Sequence, residues 1–431
     1  MLSFIKKNNT MQKRIIGTVG TGVVLSAQAL AQTPSSSNLT TQELSGRVNT
    51  ITTAVPFLMI APDSRQGGMG EVGAATPADG NSIHWNVAKM AFAEKKGGAA
   101  ISVTPWLKQL VPDIYLYYVA GYGKISKTQT IGASLRYFSL GNITFTDIVG
   151  NTTGQFRPNE FALDLAYSQK LSKTFSAGLA ARYIRSNLTG NYTLSNGQPT
   201  KPGTSTAVDV GIYYQSKKIK LGEKKGNASA GLVISNIGSK VSYSVKKDFI
   251  PINLRLGGGL KIDIDETNTV GIYGDLNKLL VPTQPVYKKA LDSLGNETAV
   301  DAIDPATGEK VIAAGKNPNV GIAKGMLQSF GDAPGGSAEE LREINYSVGF
   351  EYWYAKTFAV RAGYFNEAKT KGNRKFFTVG MGLRYNVFGL DMAYLIPITQ
   401  RNPLQNTLRF TLIFDFDAFK EQNKEAPKPV E

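Results

Sequence analysis

Few residues in this chain are suited to acid–base or metal chemistry. It has no cysteine and one histidine, His84, which is followed by Trp85. Thiolate metal sites, histidine-rich metal sites and a cysteine nucleophile are therefore excluded. A serine hydrolase would have to use His84 as its imidazole base, and no Gly-x-Ser-x-Gly sequence accompanies it. We predict no enzyme activity, no cofactor and no metal site.

The histidine lies in a segment, residues 54–93, whose pattern differs from the rest of the chain. The segment opens with an apolar run around a proline. Its glycine cluster, Gly-Gly-Met-Gly, lacks the Gly-Lys-Ser/Thr ending of a phosphate-binding loop, so we interpret these glycines as turn positions. We predict that the segment is a compact plug enclosed by a larger structure. The predicted plug residues are Pro56, Asp63, Arg65, Gly67, Gly68, Gly70, His84, Trp85 and Asn86.

Charged residues of both signs recur farther along the chain, inside short segments of alternating apolar and polar residues. Each charge faces away from the apolar row of its own strand, so these charges are predicted to point into one interior. There they line a channel, or they pair with each other and with the plug because buried charges need partners. Both interpretations stay open at this stage. The predicted lumen charges are Arg136, Asp164, Arg182, Asp209, Arg255, Glu351, Arg361, Arg384, Asp391 and Arg409.

The elements that must position these side chains are about fourteen alternating segments. Each is about ten residues long, the length of a tilted strand that crosses a bilayer. In one of them, Leu163 and Leu165 alternate with Asp164. Many apolar rows end in an aromatic residue, such as Tyr137 or Tyr167. A soluble β-sandwich also alternates, but the aromatic ends favour the interfacial girdle of a membrane barrel.

The links between these segments alternate in length. Links 123–128 and 263–268 are short, whereas 139–158 and 278–343 are long. Short periplasmic turns and long external loops are typical of outer-membrane barrels. We therefore predict an all-β fold, a 14-stranded antiparallel outer-membrane β-barrel over residues 97–419, with an N-terminal periplasmic plug and long extracellular loops. The even strand count predicts that both chain ends lie in the periplasm.

The amino terminus predicts export to the cell outer membrane. Residues 1–31 combine a basic start, a short apolar stretch and an Ala-Leu-Ala cleavage site, as in a signal peptide that starts at Met1 or Met11. Residues 32–53 form a polar lead, and residues 420–431 a polar periplasmic tail. The formal net charge is +15, but no basic helix carries interleaved aromatic residues. We therefore predict no nucleic-acid binding.

The link 278–343 is much longer than the others and contains many prolines and glycines. Loops of that length are often functional. Within it, residues 320–330 place four apolar side chains on roughly one helical face: Ile322, Met326, Leu327 and Phe330. We predict that this face docks a partner. A lid folded onto its own barrel is the alternative.

Several blocks of sequence are specific enough to indicate a family. They are Thr53-Ala54-Val55-Pro56-Phe57-Leu58, Ile60-Ala61-Pro62-Asp63-Ser64-Arg65, Gly67-Gly68-Met69-Gly70, His84-Trp85-Asn86, Asn402-Pro403-Leu404-Gln405-Asn406-Thr407-Leu408-Arg409-Phe410 and Phe414-Asp415-Phe416-Asp417. Together they resemble the PorV family, outer-membrane components of the type IX secretion system of Bacteroidetes. The overall plan also resembles the FadL-like fatty-acid transporter barrels. Their plug carries Asn-Pro-Ala where this chain has Asn86-Val87-Ala88.

The resemblance to PorV implies a non-enzymatic role in protein secretion. Its implied partners are the giant translocon barrel (Sov/SprA), the PorU-type attachment complex and secreted substrates with a C-terminal signal domain, with outer-membrane lipid and lipopolysaccharide around the barrel. The external loops, chiefly 278–343, are then the docking surface. The alternatives are a FadL-like channel for hydrophobic small molecules and an outer-membrane hydrolase that depends on His84.

Overall fold

The computed structural model of the chain describes residues 44, 46–108, 111–146, 149, 151–190, 199–244, 246–399 and 402–417. The predicted signal peptide, most of the predicted lead and the predicted periplasmic tail lie outside these residues. The described part is dominated by one closed antiparallel barrel. The prediction of a 14-stranded antiparallel barrel is confirmed.

Each barrel strand pairs with its neighbours in sequence, and the first strand pairs with the last to close the barrel. The strands are β1 Gly97–Pro105, β2 Ile114–Lys124, β3 Gln129–Leu140, β4 Asn159–Lys170, β5 Phe175–Asn187, β6 Gly203–Gln215, β7 Lys224–Gly238, β8 Asn253–Asp263, β9 Asn268–Leu279, β10 Asn345–Tyr354, β11 Phe358–Asn366, β12 Lys375–Tyr385, β13 Phe388–Pro397 and β14 Leu408–Asp415. A short strand, Ile219–Leu221, extends one of the short turns by pairing with the start of β7.

The two rows of each strand face different environments. In β4, Leu163 and Leu165 are 45% and 64% exposed, whereas Ala162 and Asp164 between them are 1% and 2% exposed. Successive side chains of a strand point to opposite faces. The apolar row therefore faces outward toward lipid, and the polar row faces the lumen.

Segment 54–93 lies among the inward-facing side chains. Its helical pieces are two 3-10 turns, Pro56–Met59 and Val87–Phe92, and two short helices, α1 (Ser64–Gly67) and α2 (Ser82–Trp85). Pro56 is the first residue of the first 3-10 turn. A proline suits that position because its backbone has no N–H that would need a partner.

The segment crosses the lumen from the long-loop end to the short-turn end. Phe57 stacks on Phe138, near the long-loop end of β3, with ring centroids 6.2 Å apart. The carbonyl of Ala88 accepts bonds from Ser168 at 2.9 Å and Ser176 at 2.7 Å, at the short-turn ends of β4 and β5. This differs from the predicted plug, which was expected to enter from the periplasmic side. An even strand count places the start of β1 and the end of β14 on one side, but the segment before β1 is long enough to cross the lumen again.

The long external links carry their own secondary structure. Ile143–Thr146 pairs with Thr152–Phe156, and Val241–Ser242 pairs with Lys247–Asp248. Link 278–343 contains strands Val286–Tyr287, Lys289–Leu291, Glu297–Asp301 and Ile312–Ala314, followed by helices α3 (Ile322–Gln328) and α4 (Gly336–Arg342). None of the helices in the described ranges is both long enough and apolar enough to cross a membrane.

Candidate functional site

Buried ion pairs connect segment 54–93 to the barrel wall. Arg65 donates from Nε and Nη2 to the two carboxylate oxygens of Glu351, at 2.9 and 2.8 Å, and from Nη1 to Asp79 at 2.9 Å. Glu351 also accepts from Nε of Arg361 at 2.9 Å, and Nη1 of Arg361 donates to Asp391 at 2.9 Å. Two-pronged arginine–carboxylate pairs fix geometry as well as charge. A continuous charged network therefore ties the segment to β10, β11 and β13.

Wall side chains also bind the backbone of the segment. The amides of Gly73 and Ala74 both donate to Oδ2 of Asp275, at 2.7 and 3.0 Å. The amide of Gly70 donates to the hydroxyl of Thr378 at 2.7 Å. An irregular segment has few backbone partners of its own, and unpaired buried amides are costly. The polar lumen therefore supplies the hydrogen bonds that the segment lacks.

The predicted lumen charges all bond to other groups of the protein. Most of them form ion pairs inside the barrel, either within the wall or with segment 54–93. The pairs are Arg182 with Asp164 and Asp209, Arg255 with Asp275, Arg361 with Glu351 and Asp391, Arg384 with Asp391, Arg65 with Glu351, and Arg409 with Glu71. The remaining residue, Arg136, binds backbone carbonyls of the segment and the histidine.

The histidine of the segment is hydrogen-bonded to Arg136. Its Nη2 lies 2.6 Å from Nδ1 of His84, and its Nη1 donates to the carbonyl of Leu58 at 2.6 Å. A guanidinium has only donors, so Nδ1 accepts and the imidazole is neutral, with its hydrogen on Nε2. A general base needs an accepting nitrogen within reach of the proton it removes. The accepting nitrogen of His84 is already bonded to Arg136, which favours a positioning role.

Trp85 and Asn86 join the two halves of the segment to each other and to the wall. The indole Nε1 of Trp85 donates to Asp63 at 2.6 Å. Oδ1 of Asn86 accepts from the amide of Ala88 at 3.0 Å and so caps the following 3-10 turn. Its Nδ2 donates to the carbonyl of Ile212 in β6 at 3.1 Å. An asparagine at this position therefore fixes both the turn and its distance from the wall.

All three predicted turn glycines pack closely against the barrel wall. A Cβ at Gly67 would lie 2.6 Å from Nη1 of Arg409, and one at Gly68 would lie 3.1 Å from Cα of Gly380. Gly70 alone among the three has a positive φ, 69°, which glycine adopts readily. The positive φ of Gly70 is compatible with the predicted turn position. At Gly67 and Gly68 a side chain would force the neighbouring wall atoms to shift.

Glycines of the wall match this tight packing, and the sequence prediction did not single them out. A Cβ at Gly363 in β11 would lie 2.1 Å from the amide nitrogen of Gly70. A Cβ at Gly231 in β7 would lie 2.1 Å from the carbonyl oxygen of Ala74. The signal that points to such positions is a glycine in the inward row of a strand. Such a glycine indicates close packing only where a segment fills the lumen beside it.

We expect Gly363→Ala to loosen segment 54–93 from the wall, because the added methyl group overlaps the backbone of the segment. Overpacking of this kind costs about 1–3 kcal/mol of unfolding free energy. Urea unfolding of the purified barrel in lipid would measure it. The matched control is Gly274→Ala, where the nearest atom to a new Cβ is 3.6 Å away. Equal stability of the two variants would contradict the prediction.

Two of the four residues of the predicted docking face in link 278–343 pack against the barrel, and the other two are exposed. Ile322 and Met326 pack against the apolar cluster at the long-loop end of the barrel, whereas Leu327 and Phe330 are 77% and 55% exposed. Ile322 and Met326 are four residues apart and share one face of α3, whereas Leu327 lies on a different face. The four residues therefore do not form one exposed face. Instead, Phe330 and Leu341, which is 70% exposed, line an open groove of about 420 Å³ between α4 and the connection that precedes it.

Buried ion pairs hold α4 on the barrel. Lys278, at the end of β9, donates to Glu343 at 2.6 Å, and Lys371, from the link between β11 and β12, donates to Glu339 at 2.5 Å and Glu343 at 2.9 Å. Asp332 accepts a bond from the amide of Thr283 at 3.2 Å, and burial raises the pKa of its carboxyl group to about 6. Two external links are therefore locked together.

The sequence matches the model of the family described as "Type IX secretion system protein PorV" over residues 42–286. This range covers segment 54–93 and β1 to β9, more than half of the chain. No curated protein sequence matches at a significant level.

The chain is also similar to solved structures of two toluene transporters and a FadL homologue. With the Ralstonia pickettii toluene transporter TbuX it shares 10% identity over 82% of this chain and 97% of that chain, at a TM-score of 0.43. With the Pseudomonas putida toluene transporter TodX the values are 10%, 85%, 98% and 0.44. With a Pseudomonas aeruginosa FadL homologue they are 10%, 85%, 99% and 0.43.

Proposed function

Because this chain belongs to the PorV family of type IX secretion system proteins, we propose that it is a non-enzymatic outer-membrane subunit that collects secreted proteins at the cell surface. It binds the giant translocon barrel of the Sov/SprA type and receives substrates that carry a C-terminal signal domain. It then passes them to the PorU-type attachment complex. Outer-membrane lipid and lipopolysaccharide surround its apolar outer face.

The observation that carries this proposal is the contrast between the lumen and the external end. The lumen holds a segment bound to the wall by ion pairs such as Arg65–Glu351. The external end presents a folded surface with exposed apolar side chains, including Leu327, Phe330 and Leu341. Exposed apolar patches on a rigid base are typical of protein-binding surfaces. A filled lumen and an exposed apolar surface at the external end both support a role in docking other proteins.

The same lumen weighs against the alternative, a channel for hydrophobic small molecules. A greasy path needs a continuous apolar lining. Here the inward rows carry buried charges such as Asp164, Arg182 and Arg409, each held by partners. An apolar molecule that crosses this lumen would have to break those pairs, which is costly in a low-dielectric interior.

Affinity purification of the tagged protein from membranes in mild detergent tests the proposal. We expect a very large outer-membrane barrel and secreted proteins with a shared C-terminal domain to co-purify, because the docking surface is intact in the folded chain. Mass spectrometry of the eluate identifies them. A tagged unrelated outer-membrane barrel from the same cells is the control. An eluate with the same composition as the control would contradict the proposal.

A further inference from the structure

The residues just before segment 54–93 run over the external loops. The amide of Asn49 donates to the carbonyl of Thr370, in the link between β11 and β12, at 2.8 Å. Its Nδ2 donates to the carbonyl of Gln284 at 3.1 Å and to Glu339 at 3.0 Å, both in link 278–343. One residue therefore holds the two long external links together.

The chain then turns down into the barrel. The amide of Ala54 donates to the carbonyl of Phe249, in the link before β8, at 2.8 Å. Val55 adopts a left-handed conformation with φ of 49°, which is uncommon for a β-branched residue and marks a sharp change of direction. Leu58, three residues farther along, already contacts Arg136 in β3.

The descent ends at the opposite mouth of the barrel. Phe92 lies against Tyr213 near the short-turn end of β6, with ring centroids 5.6 Å apart. The amide of Lys96 donates to Asp417, just after β14, at 2.6 Å. The chain therefore enters the lumen at the long-loop end and leaves it at the short-turn end, where β1 begins.

We infer that residues 46–53 lie outside the cell and that the chain passes from them through its own barrel to the start of β1. The inference combines the path of residues 46–96 with the outer-membrane rule that long loops are external. There the residues 46–53, which we call the strap, bind both long external links. The strap is continuous with segment 54–93, so one covalent chain joins the external loops to the segment that fills the lumen.

The lack of cysteine in the chain makes labelling a direct test. Val48→Cys places a thiol on the strap, Leu294→Cys on the external link and Leu171→Cys in the short turn between β4 and β5. These three residues are 79%, 84% and 67% exposed, so they are matched in access once the reagent reaches them. We expect a membrane-impermeant maleimide to label Val48→Cys and Leu294→Cys on intact cells, and Leu171→Cys only after lysis. Val48→Cys that labels only after lysis would overturn the inference.

A cross-link tests the strap contact itself. A short bis-maleimide should join the cysteines of a Val48→Cys, Lys369→Cys double variant, because Asn49 and Thr370 share a backbone hydrogen bond. A Leu171→Cys, Lys369→Cys pair places the thiols at opposite ends of the barrel and should not join. An external Val48→Cys that never cross-links to position 369 would show that the strap does not bind this link.

Discussion

Glu351→Gln is expected to lower the unfolding free energy by about 3–5 kcal/mol, the usual cost of removing one partner from a buried ion pair. Glu351 is 2% exposed and holds two guanidinium groups, those of Arg65 and Arg361. Glutamine keeps the shape but removes the charge, so both arginines lose one of their two carboxylate partners. Urea unfolding in lipid vesicles measures the loss.

A double-mutant cycle measures how much of this loss comes from the contact between segment 54–93 and the barrel wall. Arg65→Met alone should be costly, but in the Glu351→Gln background it should cost less, because the pair is already broken. The matched control for the loss of charge is Glu266→Gln, at an exposed position in the turn between β8 and β9. Such surface changes are usually within about 0.5 kcal/mol. A Glu351→Gln variant as stable as this control would mean that the network does not hold the plug.

Replacing Leu327, Phe330 and Leu341 together with serine is expected to weaken capture of secreted substrates by at least about tenfold. A few central residues of an interface carry most of its binding energy, each at a cost of about 2 kcal/mol or more when truncated. All three are exposed: Phe330 and Leu341 line the groove beside α4, and Leu327 lies on α3. The measurement is the affinity of the purified barrel for a substrate that carries its C-terminal signal domain.

The design of this variant follows from how α3 packs. Deleting residues 320–330 would also remove Ile322 and Met326, which pack against the barrel cluster. Loss of binding would then have two explanations. The serine variant leaves this packing in place. Leu294→Ser, at an exposed apolar position elsewhere in the link, is the control. Wild-type affinity in the triple variant would exclude the groove as the docking surface.

The sequence by itself determined the barrel. Residues such as Leu163, Asp164 and Leu165 alternate with period two, and a strand has only two faces, so the pattern fixes which side chains face lipid. Alternating link lengths then fix which end carries the loops. These are local properties, and they predicted fourteen strands and the inward charges without any knowledge of long-range contacts.

Only the tertiary structure decided how the lumen is filled. Arg65 and Glu351 are 286 positions apart, and no local pattern relates them. The direction of segment 54–93 was predicted wrongly because strand parity constrains the barrel ends but not a chain that crosses the lumen again. Likewise, helical spacing grouped Ile322 with Leu327, and only the position of the barrel surface separated them.

The close contact between two glycines was also not predictable from local sequence. Gly363 is unremarkable in sequence and Gly70 was predicted only as a turn position, but their backbones meet so closely that a methyl group does not fit between them. Close approach is a property of two surfaces and not of either strand alone. The sequence therefore determined a barrel with a polar interior, and the packing of one irregular segment inside it decided that the interior is occupied and from which end the chain enters.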